Sequence, residues 1–198
     1  LHAKILFSPH AVATVASVDT SEAEKLPGVV ATVVNTDRRG RLPDVTYQGE
    51  MIAALAAETE EIALEAIKAI KVNYTDLGEP QVNDRDPKFA SGRDQGREEG
   101  SAEEGFKQAD AVVDGYYGIA CITHCCLEAH GQVMSYKDGE LMCWPSTQNV
   151  SGYASGLTSE LEMSADQIMV DTQYMGGGFG SKFAVDQWGI LCGKLSKQ

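Results

Sequence analysis

The first 80 residues alternate short apolar segments with polar turns, a pattern that predicts a compact α/β unit. Five segments have the alternation or the continuous apolar character of β-strands: residues 3–7, 13–18, 29–34, 51–56 and 71–74. Residues 19–22 offer caps for a short helix that ends at the Leu-Pro-Gly of residues 26–28. An acidic turn at residues 58–61 begins a longer helix, predicted over 60–70, whose apolar face holds Ile62, Ala66, Ala69 and Ile70.

The second half of the chain predicts strands and helices mixed along the sequence. Four segments have strand character: residues 111–117, 131–136, 140–144 and 167–171. Asp138-Gly139 predicts a tight hairpin turn between the second and third of these strands. One helix is expected to follow residues 145–148 and to end near Met163, and another to begin at Phe183.

A polar stretch separates the two halves. Residues 78–105 are rich in proline, glycine and charge, and their acidic part, residues 98–104, predicts a solvated linker or the start of a helix. We therefore expect a first domain over residues 1–80, a linker over 81–105 and a second domain over 106–198. Strands and helices in both domains place the chain in the α+β class.

The charge of the chain excludes some classes of partner. Its 16 Lys and Arg residues against 29 Asp and Glu residues give a formal net charge of −13. Nucleic acids and anionic membrane surfaces call for basic patches, so we expect neither as a partner. No apolar run approaches the roughly 18 residues of a membrane span, and we expect no span and no signal peptide. Because the chain opens on strand-like sequence at Leu1, without methionine, and stops within a helix-like stretch, we interpret it as a fragment.

The cysteines predict a reduced, intracellular chain. Three of the five cluster and two lie in apolar settings: Cys121, Cys125, Cys126, Cys143 and Cys192. Adjacent cysteines have poor geometry for a disulfide and no paired C-x-x-C motif occurs, so we expect buried thiols and a cytoplasmic location. A zinc site built on His124, Cys125 and Cys126 is the alternative, although a second pair of ligands is missing.

The most distinctive segment is a glycine loop, Gln173-Tyr-Met-Gly-Gly-Gly-Phe-Gly-Ser-Lys182. A predicted strand leads into it and a predicted helix follows, an arrangement that aims backbone N–H groups at an anionic ligand. The usual nucleotide patterns do not fit. Both G-x-G-x-x-G counted from Gly176 and a phosphate-binding loop before Lys182 need glycine at position 181, where serine stands. The sequence therefore predicts a ligand other than an ordinary nucleotide.

Ten short motifs in order resemble the molybdenum-binding subunit of the xanthine dehydrogenase and aldehyde oxidase family of molybdenum hydroxylases. The first five resemble its α/β hammerhead domain: Ser8-Pro-His-Ala11, Val18-Asp-Thr20, Leu26-Pro-Gly-Val29, Gly49-Glu-Met-Ile-Ala-Ala54 and Ala57-Glu-Thr59. The other five resemble the start of its first molybdenum-cofactor domain: Glu128-Ala-His130, Asp138-Gly-Glu140, Trp144, Ser146-Thr-Gln148 and Gly176-Gly-Gly-Phe-Gly180. The likeness runs over nearly the whole chain and implies a hammerhead domain followed by a mixed α/β cofactor domain.

The resemblance implies an oxidoreductase with a molybdopterin-type cofactor, whether in a dinucleotide form or not. Family enzymes oxidise an aldehyde or an N-heterocycle with water as the oxygen source. The resemblance implies that electrons leave through iron–sulfur clusters and usually FAD, carried by partner domains or subunits. This chain itself has no four-cysteine cluster pattern. The remainder of the molybdenum subunit and a small organic substrate complete the implied partners. Export of a folded complex on a partner's signal makes a periplasmic location the alternative to the cytoplasm.

The resemblance also assigns site residues. Gln148 matches the glutamine whose amide approaches an oxo ligand of molybdenum, and Phe179 matches the phenylalanine whose main chain lies against the metal. Gly177, Gly178 and Gly180 complete the cofactor-binding set. No residue of this chain is predicted to be catalytic, since the glutamate base of the family lies far downstream of the matched motifs. We do not assign that role to Glu128.

Several positions depart from the family pattern. Ser181 replaces a common glycine, which the backbone tolerates if its dihedral angle allows. Phe183 stands where purine-oxidising members have an acidic residue that orients the substrate, so an apolar or aldehyde-like substrate is favoured.

His130 is expected to be a structural hydrogen-bonding residue, His10 to pack within its domain and His2 to be an exposed strand residue.

Two other classes of function compete with the enzyme. One is a binding or assembly module that has lost catalysis and keeps the fold. The other is an unrelated α/β nucleotide-binding protein, which the failed glycine patterns oppose.

Overall fold

A computed structural model of the chain describes residues 1–80, 99–115, 117 and 122–198. They belong to two compact units, residues 1–80 with 124–198, and residues 81–123. The first part of the larger unit contains β1 (His2–Phe7), β2 (Ala13–Asp19), α1 (Ser21–Glu24), β3 (Val29–Val34), β4 (Asp44–Val45), β5 (Met51–Ala57), α2 (Glu60–Ala66) and β6 (Lys71–Thr75). All five predicted strands and both predicted helices of this region are confirmed; the two-residue β4 is an addition.

These strands form two antiparallel sheets of three strands each. β5 lies between β1 and β3 in one sheet, and β2 lies between β4 and β6 in the other. The predicted helix over 60–70 is divided, because α2 ends at Ala66 and a 3₁₀ turn, Ile67–Ala69, completes it. Thr59 caps α2 by accepting a hydrogen bond from the Ile62 N–H at 3.3 Å.

The smaller unit contains one helix among its described residues, α3 (Ala102–Gln108). Ser101 caps it by accepting a hydrogen bond from the Glu104 N–H at 3.3 Å, which confirms the helix start predicted within residues 98–104. Residues 81–98 of the predicted linker lie outside the described residues.

One sequence prediction in this unit is wrong. Residues 111–115 were expected to begin a strand, but they have no regular secondary structure and all five are exposed. β-Branched residues such as Val112 and Val113 favour a strand only where a partner strand pairs with them or a covered face buries their side chains. No described strand pairs with this segment. Tyr116, in the same predicted strand, lies outside the described residues.

The larger unit continues with β7 (Gln132–Lys137), β8 (Glu140–Pro145), α4 (Val150–Leu161), β9 (Ile168–Val170) and α5 (Gln187–Ser196). β7 and β8 form the predicted hairpin, with φ of +54° at Asp138 and +89° at Gly139, as a type I′ turn requires. β9 pairs parallel to β8 and completes a third sheet. The predicted helix from Phe183 begins only at Gln187. Main-chain carbonyls at 182 and 183 are engaged by residues that precede α4, which holds this segment outside the helix.

The central strand β5 joins the two parts of the larger unit. All seven of its residues are buried, because side chains alternate between its two faces and both faces are covered. Ala53 and Leu55 pack in the cluster that contains α2. Ala54 and Ala56 pack in a different cluster, with Leu191 and Leu195 of α5. The last helix of the chain is therefore part of the core of the first sheet.

Polar contacts reinforce this packing. The buried Asn35 side chain donates to the Met51 carbonyl at 2.8 Å and accepts a hydrogen bond from the Gln187 side chain, at the start of α5. In the second part of the larger unit, Leu157 and Leu161 of α4 pack against Leu141 of β8. Helices pack against sheets whose strand pairs are antiparallel except for β8 with β9, which confirms the α+β class.

Candidate cofactor-binding site

The parallel pairing of β8 and β9 determines where the predicted site forms. Parallel strands end at the same edge of a sheet, so the segments that follow them emerge side by side. Gln148 comes three residues after β8, and the glycine loop follows β9. Asp171 continues the pairing by donating its N–H to the Cys143 carbonyl at 2.9 Å. The topology therefore brings together two segments that are separated by about 30 residues of sequence.

Gln148 is bound directly to the glycine loop. Its side-chain oxygen accepts hydrogen bonds from the main-chain N–H groups of Gly180 at 3.0 Å and of Lys182 at 3.3 Å. Its own main-chain N–H donates to the Lys182 carbonyl at 2.8 Å. Asn149, not Gln148, caps α4, by accepting the Gly152 N–H at 3.0 Å. Because the carboxamide oxygen of Gln148 is bonded to the loop, the NH₂ group of the same carboxamide lies on the side away from these hydrogen bonds.

Close approach explains a glycine at position 178. A Cβ atom at this residue would lie 2.4 Å from the side-chain Cδ and Oε1 of Gln148. The neighbouring glycines serve a different need, since φ is +100° at Gly177 and +101° at Gly180, where residues with a Cβ are strained. Phe179 itself has φ of +50°, and its side chain is 72% exposed. A non-glycine residue in this conformation marks the loop as a candidate functional segment.

Three consecutive N–H groups of the loop are unpaired. Those of Gly177, Gly178 and Phe179 donate to no acceptor in the described part of the chain, whereas the N–H groups of Gly176 and Gly180 on either side are bonded. Backbone N–H groups are obligatory donors, and successive unpaired ones form a binding site for an anionic or oxo acceptor. The predicted cofactor residues are thus adjacent, and they present hydrogen-bond donors without adding charge.

Sequence reasoning assigned no role to a cluster beneath the loop, which consists of Glu128, Ser146 and Lys182. Glu128 and Gly176 bond reciprocally, because the Glu128 N–H donates to the Gly176 carbonyl at 3.2 Å and the Glu128 carboxylate accepts the Gly176 N–H. The side chain of Lys182 is fully buried beside them and donates to the Glu128 carbonyl at 2.9 Å and to the Ser146 hydroxyl at 2.7 Å. A lysine directly after a glycine loop was the only signal in the sequence.

The hydrogen bond from Gly176 is the main reason that the pKa of Glu128 lies below its ordinary value. Burial is the second-largest influence on this pKa and acts in the opposite direction, whereas a hydrogen bond from Ser146 and the positive charge of Lys182 also lower it. The carboxylate is therefore held in its charged form as an anchor for the loop.

The structure explains the serine at position 181 and tests the roles expected of two histidines. Ser181 is not among the described residues with positive φ, so the backbone accepts serine there, and its hydroxyl donates to the Gly178 carbonyl at 2.8 Å. The His130 ring nitrogen lies 3.3 Å from the Ser181 carbonyl oxygen, which confirms the expected hydrogen-bonding role. His10 packs edge-to-face on Tyr74 at 4.7 Å within residues 1–80, as predicted.

The described thiols are unpaired and form no zinc site. The four cysteines in the described ranges are free: Cys125, Cys126, Cys143 and Cys192. Burial raises the pKa of the Cys143 thiol to about 12. No three His, Cys, Asp or Glu side chains group into a metal site within those ranges, which do not include Cys121. Among the same residues, no helix has the length and apolar character needed to cross a bilayer.

Comparisons with known proteins identify the family of this chain. A family model of the aldehyde oxidase and xanthine dehydrogenase a/b hammerhead domain matches residues 1–78, and a model of the molybdopterin cofactor-binding domain matches residues 83–198. These two domains are those of a family of molybdopterin-dependent oxidoreductases. The chain belongs to the aldehyde oxidase and xanthine dehydrogenase family, which confirms the resemblance predicted from its motifs.

Individual relatives extend beyond this chain. Xanthine dehydrogenase/oxidase of Mus musculus is 32% identical over 201 residues, which cover 92% of this chain and 15% of that protein. Aldehyde oxidase 1 of Rattus norvegicus is 31% identical over 193 residues, which cover 88% of this chain and 14% of that protein. Aldehyde oxidoreductase from Desulfovibrio gigas shares the fold, with a TM-score of 0.77 and 19% identity over 98% of this chain and 25% of that structure.

Proposed function

We propose that this chain forms one wall of the cofactor site in a molybdenum hydroxylase. The whole enzyme would oxidise an aldehyde or an N-heterocycle with water as the oxygen source and pass the electrons to iron–sulfur and FAD partners. What supports the proposal most directly is the row of three unpaired N–H groups, from Gly177 to Phe179, beside a carboxamide fixed by its oxygen.

In this proposal Gln148 and Phe179 lie nearest the metal, and Gly177, Gly178 and Gly180 line the cofactor. The group supplies two-electron redox chemistry when it is bound. The chain supplies donors: the Gln148 NH₂ and the loop N–H groups stabilise acceptor atoms of the group and fix its orientation. No residue here is proposed as the general base. That role is left to the remainder of the subunit, together with further pterin contacts.

The surface beside the loop supports a proposal for the substrate class. Phe183 is 55% exposed one residue after the buried Lys182, and Phe179 and Tyr174 expose their rings nearby along the loop. Aromatic side chains without a carboxylate at position 183 favour a neutral, apolar substrate over a purine that an acidic residue would orient. We therefore propose an aldehyde or an apolar heterocycle as the substrate.

The decisive experiment is measurement of molybdenum and pterin in the whole protein purified from its native host. We expect molybdenum and an organic pterin in equal amounts, and a higher kcat/KM for aldehydes and apolar heterocycles than for hypoxanthine. A Gln148→Ala variant should retain less molybdenum, because it loses both the NH₂ donor and the oxygen that fixes the loop. If neither molybdenum nor pterin is present, the cofactor assignment is wrong and the non-catalytic module becomes the better interpretation.

A further inference from the structure

We propose that Lys182 is a positioning residue that holds Gln148 and the glycine loop in the geometry needed for the metal group. The inference rests on the proposed function and adds a residue to it. Lys182 does not reach the unpaired N–H groups itself. It acts through the segments to which it is bonded.

The ammonium group of Lys182 connects segments on two sides of the site. The side chain has 0% relative exposure, and its Nζ donates to the Glu128 carbonyl at 2.9 Å and to the Ser146 hydroxyl at 2.7 Å. The nearest carboxylate oxygen of Glu128 is 3.9 Å away. Charged groups are buried only where partners compensate the loss of water, so this arrangement is strongly specified.

The main chain of the same residue completes the connection. The Lys182 N–H donates to the side-chain oxygen of Gln148, and the Lys182 carbonyl accepts the main-chain N–H of Gln148 at 2.8 Å and the Thr147 hydroxyl at 3.1 Å. Residues 146–148 are thus bonded to Lys182 at both its side chain and its main chain. Lys182, together with the Gly180 N–H, therefore orients the Gln148 carboxamide.

Glu128 extends the connection to the start of the glycine loop. The carbonyl of Glu128 is held by the Lys182 ammonium, while its carboxylate accepts the Gly176 N–H and its N–H donates to the Gly176 carbonyl. The loop is therefore fixed at Gly176 through Glu128 and at Lys182 directly. Between these two points lie the three unpaired N–H groups, which keep their direction only while both ends are fixed.

Removal of the ammonium should loosen both ends at once. A Lys182→Met variant keeps the length and apolar stem of the side chain but leaves the Glu128 carbonyl and the Ser146 hydroxyl without their donor. In the whole enzyme we expect a fall of about 10- to 100-fold in molybdenum affinity or in kcat. We also expect a changed Mo(V) electron paramagnetic resonance spectrum in partly reduced enzyme, because the hydrogen bonds to the metal group are reoriented.

Lys197→Met is the control. The ammonium of Lys197 also donates to a main-chain carbonyl, that of Leu161, but Lys197 is the exposed C-cap residue of α5 and lies outside the cluster beneath the loop. This variant loses the same chemical group and should leave the rate within about twofold of wild type and the Mo(V) spectrum unchanged. A spectrum that changes equally in both variants would mean a general structural effect and would overturn the inference.

Two milder variants keep the inference testable if Lys182→Met does not fold. Ser146→Ala removes one acceptor of the ammonium, and Glu128→Gln removes the carboxylate charge while keeping an oxygen for the Gly176 N–H. Each should shift the Mo(V) spectrum in the same direction as Lys182→Met, by a smaller amount. If both spectra match the wild type, Lys182 is not a positioning residue, although a loaded wild-type enzyme still supports the proposed function. Absence of molybdenum from the wild type would instead remove the proposed function.

Discussion

Substitution of Gly178 by alanine tests the contact between the glycine loop and Gln148. Gly178 is not among the described residues with positive φ, so alanine introduces a steric change and little backbone strain. Its Cβ would lie 2.4 Å from Cδ and Oε1 of Gln148, and 2.5 Å from Cγ. The side chain of Gln148 must move, because no such separation is tolerated between these atoms.

The size of the movement gives the size of the effect. Ordinary van der Waals contact begins at 3.4 Å, so the Gln148 carboxamide must retreat by about 1 Å. That movement weakens its hydrogen bonds with the N–H groups of Gly180 and Lys182, now 3.0 and 3.3 Å long. Misplacement of a positioning group by about 1 Å typically costs about 100-fold in rate, and we expect a loss of this order in kcat/KM.

The assay compares four forms of the whole enzyme: wild type, Gly178→Ala, Gln148→Ala and the double variant. In the Gln148→Ala background the new methyl group meets no carboxamide, so the second substitution should add little. Gly105→Ala is the control, because a Cβ at this α3 residue meets nothing within 4 Å. Equal losses from Gly178→Ala with and without Gln148, or a near wild-type rate for the single variant, would refute the reasoning.

Three further predictions concern stability, measured by chemical denaturation of the whole protein. Asn149→Ala removes the cap of α4 and should lower the free energy of unfolding by about 1 kcal/mol; no change would mean that this cap is dispensable. Asn35→Ala leaves the Met51 carbonyl and the Gln187 side chain unpaired and should cost about 1–3 kcal/mol, with strong non-additivity when combined with Gln187→Ala. Additive losses of free energy would contradict the hydrogen bond between Asn35 and Gln187. The pKa of Glu128 lies below 4.5, so its carboxylate stabilises the fold above pH 4.5, and this contribution is lost as the pH falls through the lowered pKa. Glu128→Gln should therefore lower the free energy of unfolding at neutral pH and reduce its further fall below pH 4.5. An unchanged dependence on pH below 4.5 would exclude the anchoring role.

Local sequence signals predicted most of the fold of residues 1–80. The continuous apolar run of β5 and the acidic start of α2 each identified their element, since both depend on neighbours a few residues away. Asp138-Gly139 identified the β7–β8 hairpin for the same reason. The segment 111–115 had the composition of a strand, but strand formation needs a partner that local pattern does not reveal.

The candidate site was predicted from motifs, and its internal bonding was not. Family motifs named Gln148 and the glycine loop separately, and the contact between them required the parallel pairing of β8 with β9. The cluster of Lys182, Ser146 and Glu128 joins residues 36 to 54 positions apart, beyond the reach of any periodicity in the sequence. The delayed start of α5 has the same cause, because distant donors occupy the carbonyls of residues 182 and 183.

The double coverage of β5 has a consequence for synthesis on the ribosome. Ala54 and Ala56 are translated about 140 residues before Leu195, the helical residue that covers them, which corresponds to roughly 7 to 30 seconds at ordinary elongation rates. During this interval the newly made sheet exposes an alanine-lined face to solvent. We therefore expect nascent chains that end before α5 to associate with chaperones, and to be released once Leu195 has emerged from the exit tunnel.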